Sequence, residues 1–369
     1  MEEEEQQQTT TQQRQQTQHQ QQQRWRSSSL PLVLLNLTLI STGIIGGPLL
    51  ARLYFTHGGS RRWLSSLLQS AAFPLLVLPL FFLHLRSRAR VRAFPPKACA
   101  ECALIGVLLG LDNFLYALGL SYLPVSTSSI LFSTQLAFTA LFARLIVGQR
   151  FTSFSINCVV LMVVGSAMLG VRADGDRPLG VSRGQYMVGF FATLGGAALL
   201  GVVIPASEMA FRRLSGGRVA SPASVLQFQL GVGASASAVC LIGMAINDDF
   251  KAIPREAREF GLGEHKYYMV LAVTAIVWQM ALVGFLGLIF CTTSLFTGIC
   301  GSFLLPFTEV GAVIAYHDKF SGEKGMSLVL CLWGLTSYFY GEWKESKALS
   351  KNDINHAVGD GDVTTIASI

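Results

Sequence analysis

The run Tyr267-Tyr-Met-Val-Leu-Ala-Val-Thr-Ala-Ile-Val-Trp278-Gln279-Met-Ala-Leu-Val-Gly284-Phe-Leu-Gly-Leu-Ile-Phe290 contains no Lys, Arg, Asp or Glu. At about 1.5 Å of rise per residue, roughly 20 apolar residues cross the hydrocarbon layer of a bilayer, so this stretch reads as a membrane-spanning helix. Pro31–Tyr54 and Thr152–Val171 read the same way, with Arg52 the only charge between them. Extending the criterion along the chain gives ten expected spans, starting near Pro31, Trp63, Ala100, Ser126, Thr152, Gln185, Pro222, Tyr267, Ser294 and Lys324. The narrowest division is between the third and fourth, at Tyr122-Leu-Pro-Val125. There Pro124 and the Ser/Thr run 126–129 favour a tight turn over one overlong helix. The expected fold class is all-α integral membrane, multi-pass.

Composition agrees: the 369-residue chain is 51% hydrophobic and only 14% charged, with mean hydropathy +0.46. A net charge of +6 could suit nucleic acid, but the basic residues flank apolar spans, which is the membrane pattern. Arg86-Ser-Arg-Ala-Arg-Val-Arg92, followed by Pro95-Pro-Lys97, is the densest cluster and sets the second loop, and hence the N-terminus, on the cytosolic side. Residues 1–29 are rich in Glu, Gln and Thr without an apolar core, and read as a disordered cytosolic tail, as do residues 344–369. Seven cysteines, an odd number lying mostly in spans, do not describe a disulfide framework, and Cys99-Ala-Glu-Cys102 is a lone CxxC. The six histidines lack ligand spacing and no phosphate-cradling GxxxxGK[ST] occurs, so neither metal, cofactor nor ATP is expected.

The chain repeats itself. Leu136-Ala-Phe-Thr-Ala-Leu-Phe-Ala143 aligns with Leu305-Pro-Phe-Thr-Glu-Val-Gly-Ala312 at a constant shift, with Leu, Phe, Thr and Ala identical. The register continues through Gln149-Arg-Phe-Thr152 against Asp318-Lys-Phe-Ser321, and on to Leu161/Leu330 and Gly165/Gly334. A displacement of five spans reverses membrane orientation, because five is odd. Two inverted five-helix repeats are therefore expected, over residues 30–172 and 173–343, with a solute site near the midplane between them.

Four carboxylates, Glu101, Asp112, Glu208 and Glu309, sit within or at the ends of these apolar stretches. An acid there is expensive and faces a cavity or bundle interior used for transport or proton movement. Asp112 and Tyr116 stand four apart and so share a helix face, with Asn113 adjacent. Gly106 and Gly110 let a neighbouring helix approach closely. Glu309 follows Pro306, where a proline is expected to break the helix around a site, and its repeat partner is Ala140, so the acid exists in one half only. Glu101, near Lys97, and Glu208, four before Arg212, read as structural ion pairs at the cytosolic face. Trp278-Gln279 offers a ring to stack on beside an amide to donate and accept, which suits a planar heteroaromatic solute. Asn36, Gln69, Gln135, Gln227 and Gln229 are further amides within spans, a type that interhelical hydrogen bonds often explain.

The strings Asp112-Asn-Phe-Leu-Tyr-Ala-Leu-Gly-Leu-Ser-Tyr-Leu-Pro-Val-Ser-Thr127 and Ser133-Thr-Gln-Leu-Ala-Phe-Thr139 resemble the plant purine permease family. So do Phe320-Ser-Gly-Glu-Lys-Gly325 and Leu332-Trp-Gly-Leu-Thr-Ser-Tyr-Phe-Tyr-Gly-Glu342, and the likeness runs from the first span to about Trp343. The resemblance implies a carrier of the drug/metabolite transporter superfamily with ten helices in two repeats. It implies proton symport of adenine, cytokinins or, in some members, alkaloids and vitamin-like heterocycles, with the plasma membrane as the family's usual place and the endoplasmic reticulum or vacuole as alternatives. Glu309 or Asp112 would take the proton, Tyr116 or Trp278 would stack on the base, and Asn113, Gln135 and Gln279 would read its edge. A phosphate-carrying transporter is disfavoured because Lys and Arg are nearly absent at depth. An enzyme is disfavoured because no nucleophile–base or metal constellation is present. A membrane sensor of the same solutes is the rival from a different class.

Overall fold

The computed structural model describes residues 30–87, 95–148, 152–171, 177–178, 180–215, 222–316 and, with gaps, 322–347. The tail 1–29, nearly all of 344–369, the basic loop 88–92 and most of the two matched loops at 149–152 and 318–321 lie outside them. Among the described residues the chain is helical throughout and eight helices are long and apolar enough to cross a membrane.

α1 (Leu30–Thr56) is followed by an interrupted span: α2 (Arg62–Leu68), a 3₁₀ turn at Phe73–Leu76 and α3 (Val77–Ser87). α4 (Pro96–Tyr122) ends at Leu123-Pro124, as the sequence predicts. The next span is again broken, into α5 (Val125–Phe132) and α6 (Gln135–Phe142), and closes in a π turn at Ala143–Val147. Then come α7 (Ser153–Val171), α8 (Arg183–Ser215) and α9 (Pro222–Ile246). A short surface helix α10 (Asp249–Glu259) leads into α11 (Glu264–Cys291) and α12 (Ser294–Tyr316). A last apolar helix, α13, falls within Gly325–Tyr338 where the tenth span is expected. Leu34, Phe82, Leu104, Phe191, Ile246, Ile314 and Trp333 are all exposed, large apolar side chains that suit lipid surroundings.

Pro306 does not break its helix, contrary to expectation: α12 runs through it unbroken. The interruptions fall where side-chain hydroxyls compete for the ladder. Ser133 and Thr134 donate to the carbonyls of Ile130 and Leu131 at 2.6 and 2.7 Å, and the backbone there tightens to i−3 bonds such as Leu136 N–H to Ser133 O at 3.1 Å. At the first break Gln69, Ser70, Phe73 and Leu75 likewise donate to carbonyls three residues back, and Pro74 contributes no donor. Elsewhere hydroxyls fold back onto their own helix without breaking it, as Thr193 and Thr274 do onto Gly189 O and Val270 O. α10 lies between the seventh and eighth expected spans and is not among the ten. Ile253, Ala257 and Phe260 recur at helical spacing and pack with Tyr54, Leu64 and Tyr267, a pattern that marks it.

The repeat register extends to helix ends: α4 stops at Tyr122 and α11 at its partner Cys291, while α5 starts at Val125 and α12 at its partner Ser294. α7 and α13 touch through equivalent residues. A methyl group at Gly165 would lie 3.5 Å from Cβ of Leu330, and one at Gly334 would lie 3.4 Å from Cβ of Leu161.

α1 and α11 pack almost backbone to backbone. A methyl group at Gly284 would sit 2.7 Å from Asn36 O and from Ile40 Cγ1, and one at Gly43 would overlap Cβ of Ala281. Gly284→Val should therefore lower the thermal stability of the detergent-solubilised protein by about 1–3 kcal/mol, the usual cost of overpacking. Gly46→Ala, meeting only the Val277 side chain at 3.2 Å, should cost far less. Size-exclusion profiles after heating would separate the two.

Candidate functional site

Asp112, Asn113 and Tyr116 lie along one side of α4, all 4% exposed or less, and all line a central cavity of about 80 Å³. One buried water needs only about 10–15 Å³ on this measure, so the space is of ligand size. Gln69 enters from the first interruption, Phe132 and Gln135 flank the second, and Trp278 comes from α11. Leu109, Val203, Ile204 and Ile289 supply apolar wall.

The rings make a box. Tyr116 is 4.7 Å from Phe132, tilted at 57°, and 5.8 Å from Trp278, nearly perpendicular at 85°. Around it Asp112 Oδ1, Asn113 Nδ2 and Gln135 Nε2 are buried with no hydrogen-bond partner among the described residues. Such atoms cost about 1–3 kcal/mol each when left so, and their three residues line one cavity, which makes it the candidate site.

Of the seven residues singled out from sequence, five (Asp112, Asn113, Tyr116, Gln135 and Trp278) share this cavity. Gln279 and Glu309 do not line it. Gln279 is 5% exposed, and its amide has no hydrogen-bond partner among the described residues. Glu309 is fully buried on α12, next to Thr308, whose hydroxyl donates to Ile44 O at 3.0 Å and so ties α12 to α1. Gln69, Phe132 and Ser207 line the cavity and were not predicted to. For Gln69 a signal was present, an amide beside Ser70 in a span that Pro74 interrupts.

The other two carboxylates singled out from the sequence form ion pairs, with one correction. Glu101 does not pair on the Lys97 side; Arg213 of α8 reaches it at 3.1 Å. The expected Glu208–Arg212 pair is present at 2.6 Å. The other Glu208 oxygen accepts from the backbone N–H of Ser294 at 2.7 Å, placing a carboxylate on the first residue of α12. At the opposite end Glu256 accepts hydrogen bonds from Tyr54 and Tyr267 hydroxyls and from the backbone and hydroxyl of Ser60, and Arg61 lies 3.7 Å away.

A helical bundle with exposed apolar side chains and a buried aromatic and amide cavity at mid-span has the build of a multi-pass membrane carrier. The family model described as purine nucleobase transmembrane transport matches residues 31–348. Purine permease 3 of Arabidopsis thaliana is 44% identical over 324 residues, which is 86% of this chain and 92% of that protein. Purine permease 2 of the same plant is 42% identical over 341 residues, 87% and 95% of the two chains. The chain belongs to the purine permease family, so it is a multi-pass membrane transporter and not an enzyme.

Glu208→Ala should remove both the Arg212 pair and the carboxylate at the start of α12, costing about 1.5–3 kcal/mol for the charge-assisted bond. Arg212→Ala, taking away only the partly exposed partner, should cost less. Thermal melts of the two variants in detergent would check the order.

Proposed function

We propose that the protein is a proton-driven secondary transporter of purine bases and purine derivatives, adenine and cytokinins among them. The observation that carries this reading is the Tyr116–Phe132–Trp278 ring box in a cavity also lined by Asp112, Asn113 and Gln135, each of which carries a buried polar atom with no hydrogen-bond partner among the described residues. A purine has two π faces and an edge of alternating donors and acceptors, which amide side chains read. Leu109, Val203, Ile204 and Ile289 extend the cavity with apolar wall that suits the hydrocarbon substituent of a cytokinin. The same wall suits other substituted heterocycles, alkaloids or vitamin-like, which is the second reading.

Ten spans in two inverted halves, 30–172 and 173–343, is the architecture we favour. The matched helix ends and the reciprocal α7–α13 contact support it. Alternating access would then be a rocking of one half against the other about the cavity. Asp112 is the better coupling candidate because it shares the cavity with the solute, and Glu309 is the second. Protonation of the carboxyl neutralises the cavity before the halves move. One proton crossing 100 mV releases about 2.3 kcal/mol, enough for roughly fifty-fold accumulation of a neutral solute. The plasma membrane is the proposed location.

Labelled adenine uptake in yeast lacking its own purine uptake should be faster at acidic than at neutral external pH and should vanish with an uncoupler. Asp112→Asn, near-isosteric, should reach the membrane but lose the pH dependence together with at least about 90% of uptake, as expected when an ionisable group in a coupling site is fixed neutral. Glu309→Gln with undiminished proton dependence removes Glu309 from coupling. Absence of adenine uptake, with the protein at the cell surface, moves the substrate to the larger heterocycles.

A further inference from the structure

We propose that Gln69 is a specificity-determining residue of the cavity, holding a fixed hydrogen-bond acceptor that selects solutes carrying an N–H donor. The inference rests on the purine-carrier reading and adds to it a residue and a direction of hydrogen bonding.

Gln69 stands at the first interruption, between α2 and the 3₁₀ turn, and is 6% exposed while lining the cavity. Its amide nitrogen donates to the backbone carbonyl of Asn113 at 3.0 Å. A carbonyl can only accept, so this bond settles which end of the amide is nitrogen. The oxygen is left over, and no described residue supplies it with a donor. The neighbouring hydroxyl is committed elsewhere: Ser70 lies 3.5 Å from Leu67 O and accepts from Ser237 at 3.0 Å.

The two interrupted spans thus deliver a glutamine each, with opposite faces. Gln69 offers an acceptor, and Gln135, immediately after the second interruption, has an unpartnered donor in Nε2. A purine edge sets a ring-nitrogen acceptor next to an N–H donor, which is the complement of that pair. Gln69 also differs in kind from Asp112. A carboxyl changes from acceptor to donor when it takes a proton, whereas the Gln69 oxygen accepts in every protonation state of the cycle. A residue that reads the solute identically before and after proton transfer is suited to selection, leaving Asp112 to coupling.

The test is competition against labelled adenine uptake in yeast expressing the full chain, with adenine, 9-methyladenine and N6,N6-dimethyladenine as competitors. Each methylated base lacks one set of N–H donors. In the unaltered protein at least one should compete about 10-fold more weakly than adenine, the usual price of an unmade buried hydrogen bond. In Gln69→Leu that penalty should shrink to within about 2-fold while the other analogue's penalty stays unchanged. Gln69→Met, closer in length and flexible, gives the same reading should the leucine variant not reach the membrane. Penalties that all persist, or that fall together, overturn the assignment, because a purely structural role lowers uptake without altering the order of competitors. Failure of the unaltered protein to respond to any of the bases overturns the purine reading, and the inference with it.

Discussion

Hydrocarbon offers no hydrogen bonds, so every polar group in a span must be satisfied by protein or gathered where a solute or water can reach it. Unbroken helices meet that demand for their own backbone, and Thr193, Ser207 and Thr274 meet it for their side chains by turning back onto the preceding carbonyls. Against that background Asp112, Asn113 and Gln135 stand out together, since all three line one cavity and each keeps a buried polar atom without a partner among the described residues. The same constraint places the two interruptions. Irregular backbone at membrane depth is tolerated only where it is buried in protein or lines a cavity, and Gln69 and Gln135 show that both breaks border this one.

The bundle is shaped to bring those breaks inward. Close packing of α1 on α11 at Gly43 and Gly284 sets Trp278 against Gly47, where a methyl group would lie 2.6 Å from the indole. The indole then has little room except toward Tyr116 on α4, which it meets edge-on. Gly106 and Gly110 perform the same service on the other side of α4, bringing α9 so near that a methyl group at Gly106 would lie 2.6 Å from Val232 O. Small residues thus position the large ones, and the aromatic box follows from how closely these helices approach.

Much of the fold was legible because lipid imposes one strong rule. Long uncharged runs such as Tyr267–Phe290 are helices, and Leu123-Pro124 divides two spans where the sequence said it would. The cavity residues Asp112, Asn113 and Tyr116 were legible for the same reason, since polar groups are costly there and helical spacing puts them on one face. What escaped depended on competition between weak local terms. Pro306 sits in α12 without breaking it, because a helix packed among neighbours tolerates the loss of one donor. Ser133-Thr134 does break its span, through two hydroxyls that draw the same turn's carbonyls. Proline is the louder signal in a sequence and the hydroxyl pair is the stronger one in this structure. The Glu101–Arg213 pair escaped because it joins residues far apart in the chain, and local spacing points only to the nearest cation.

The two ends of the bundle are tied unequally, and alternating access would feel the difference. At one end Glu256 of α10 joins α1 and α11, buried and accepting from two tyrosines and from Ser60. At the other, Glu101 of α4 meets Arg213 of α8 through an ion pair whose arginine is 66% exposed. An exposed pair of that kind contributes about 0–1 kcal/mol. Parting a buried carboxylate from its donors costs several times as much, because the charge is left without compensation. Both ties cross from one proposed half to the other, so a rocking motion must release them in turn. Of the two, the Glu101 tie is the cheaper to part.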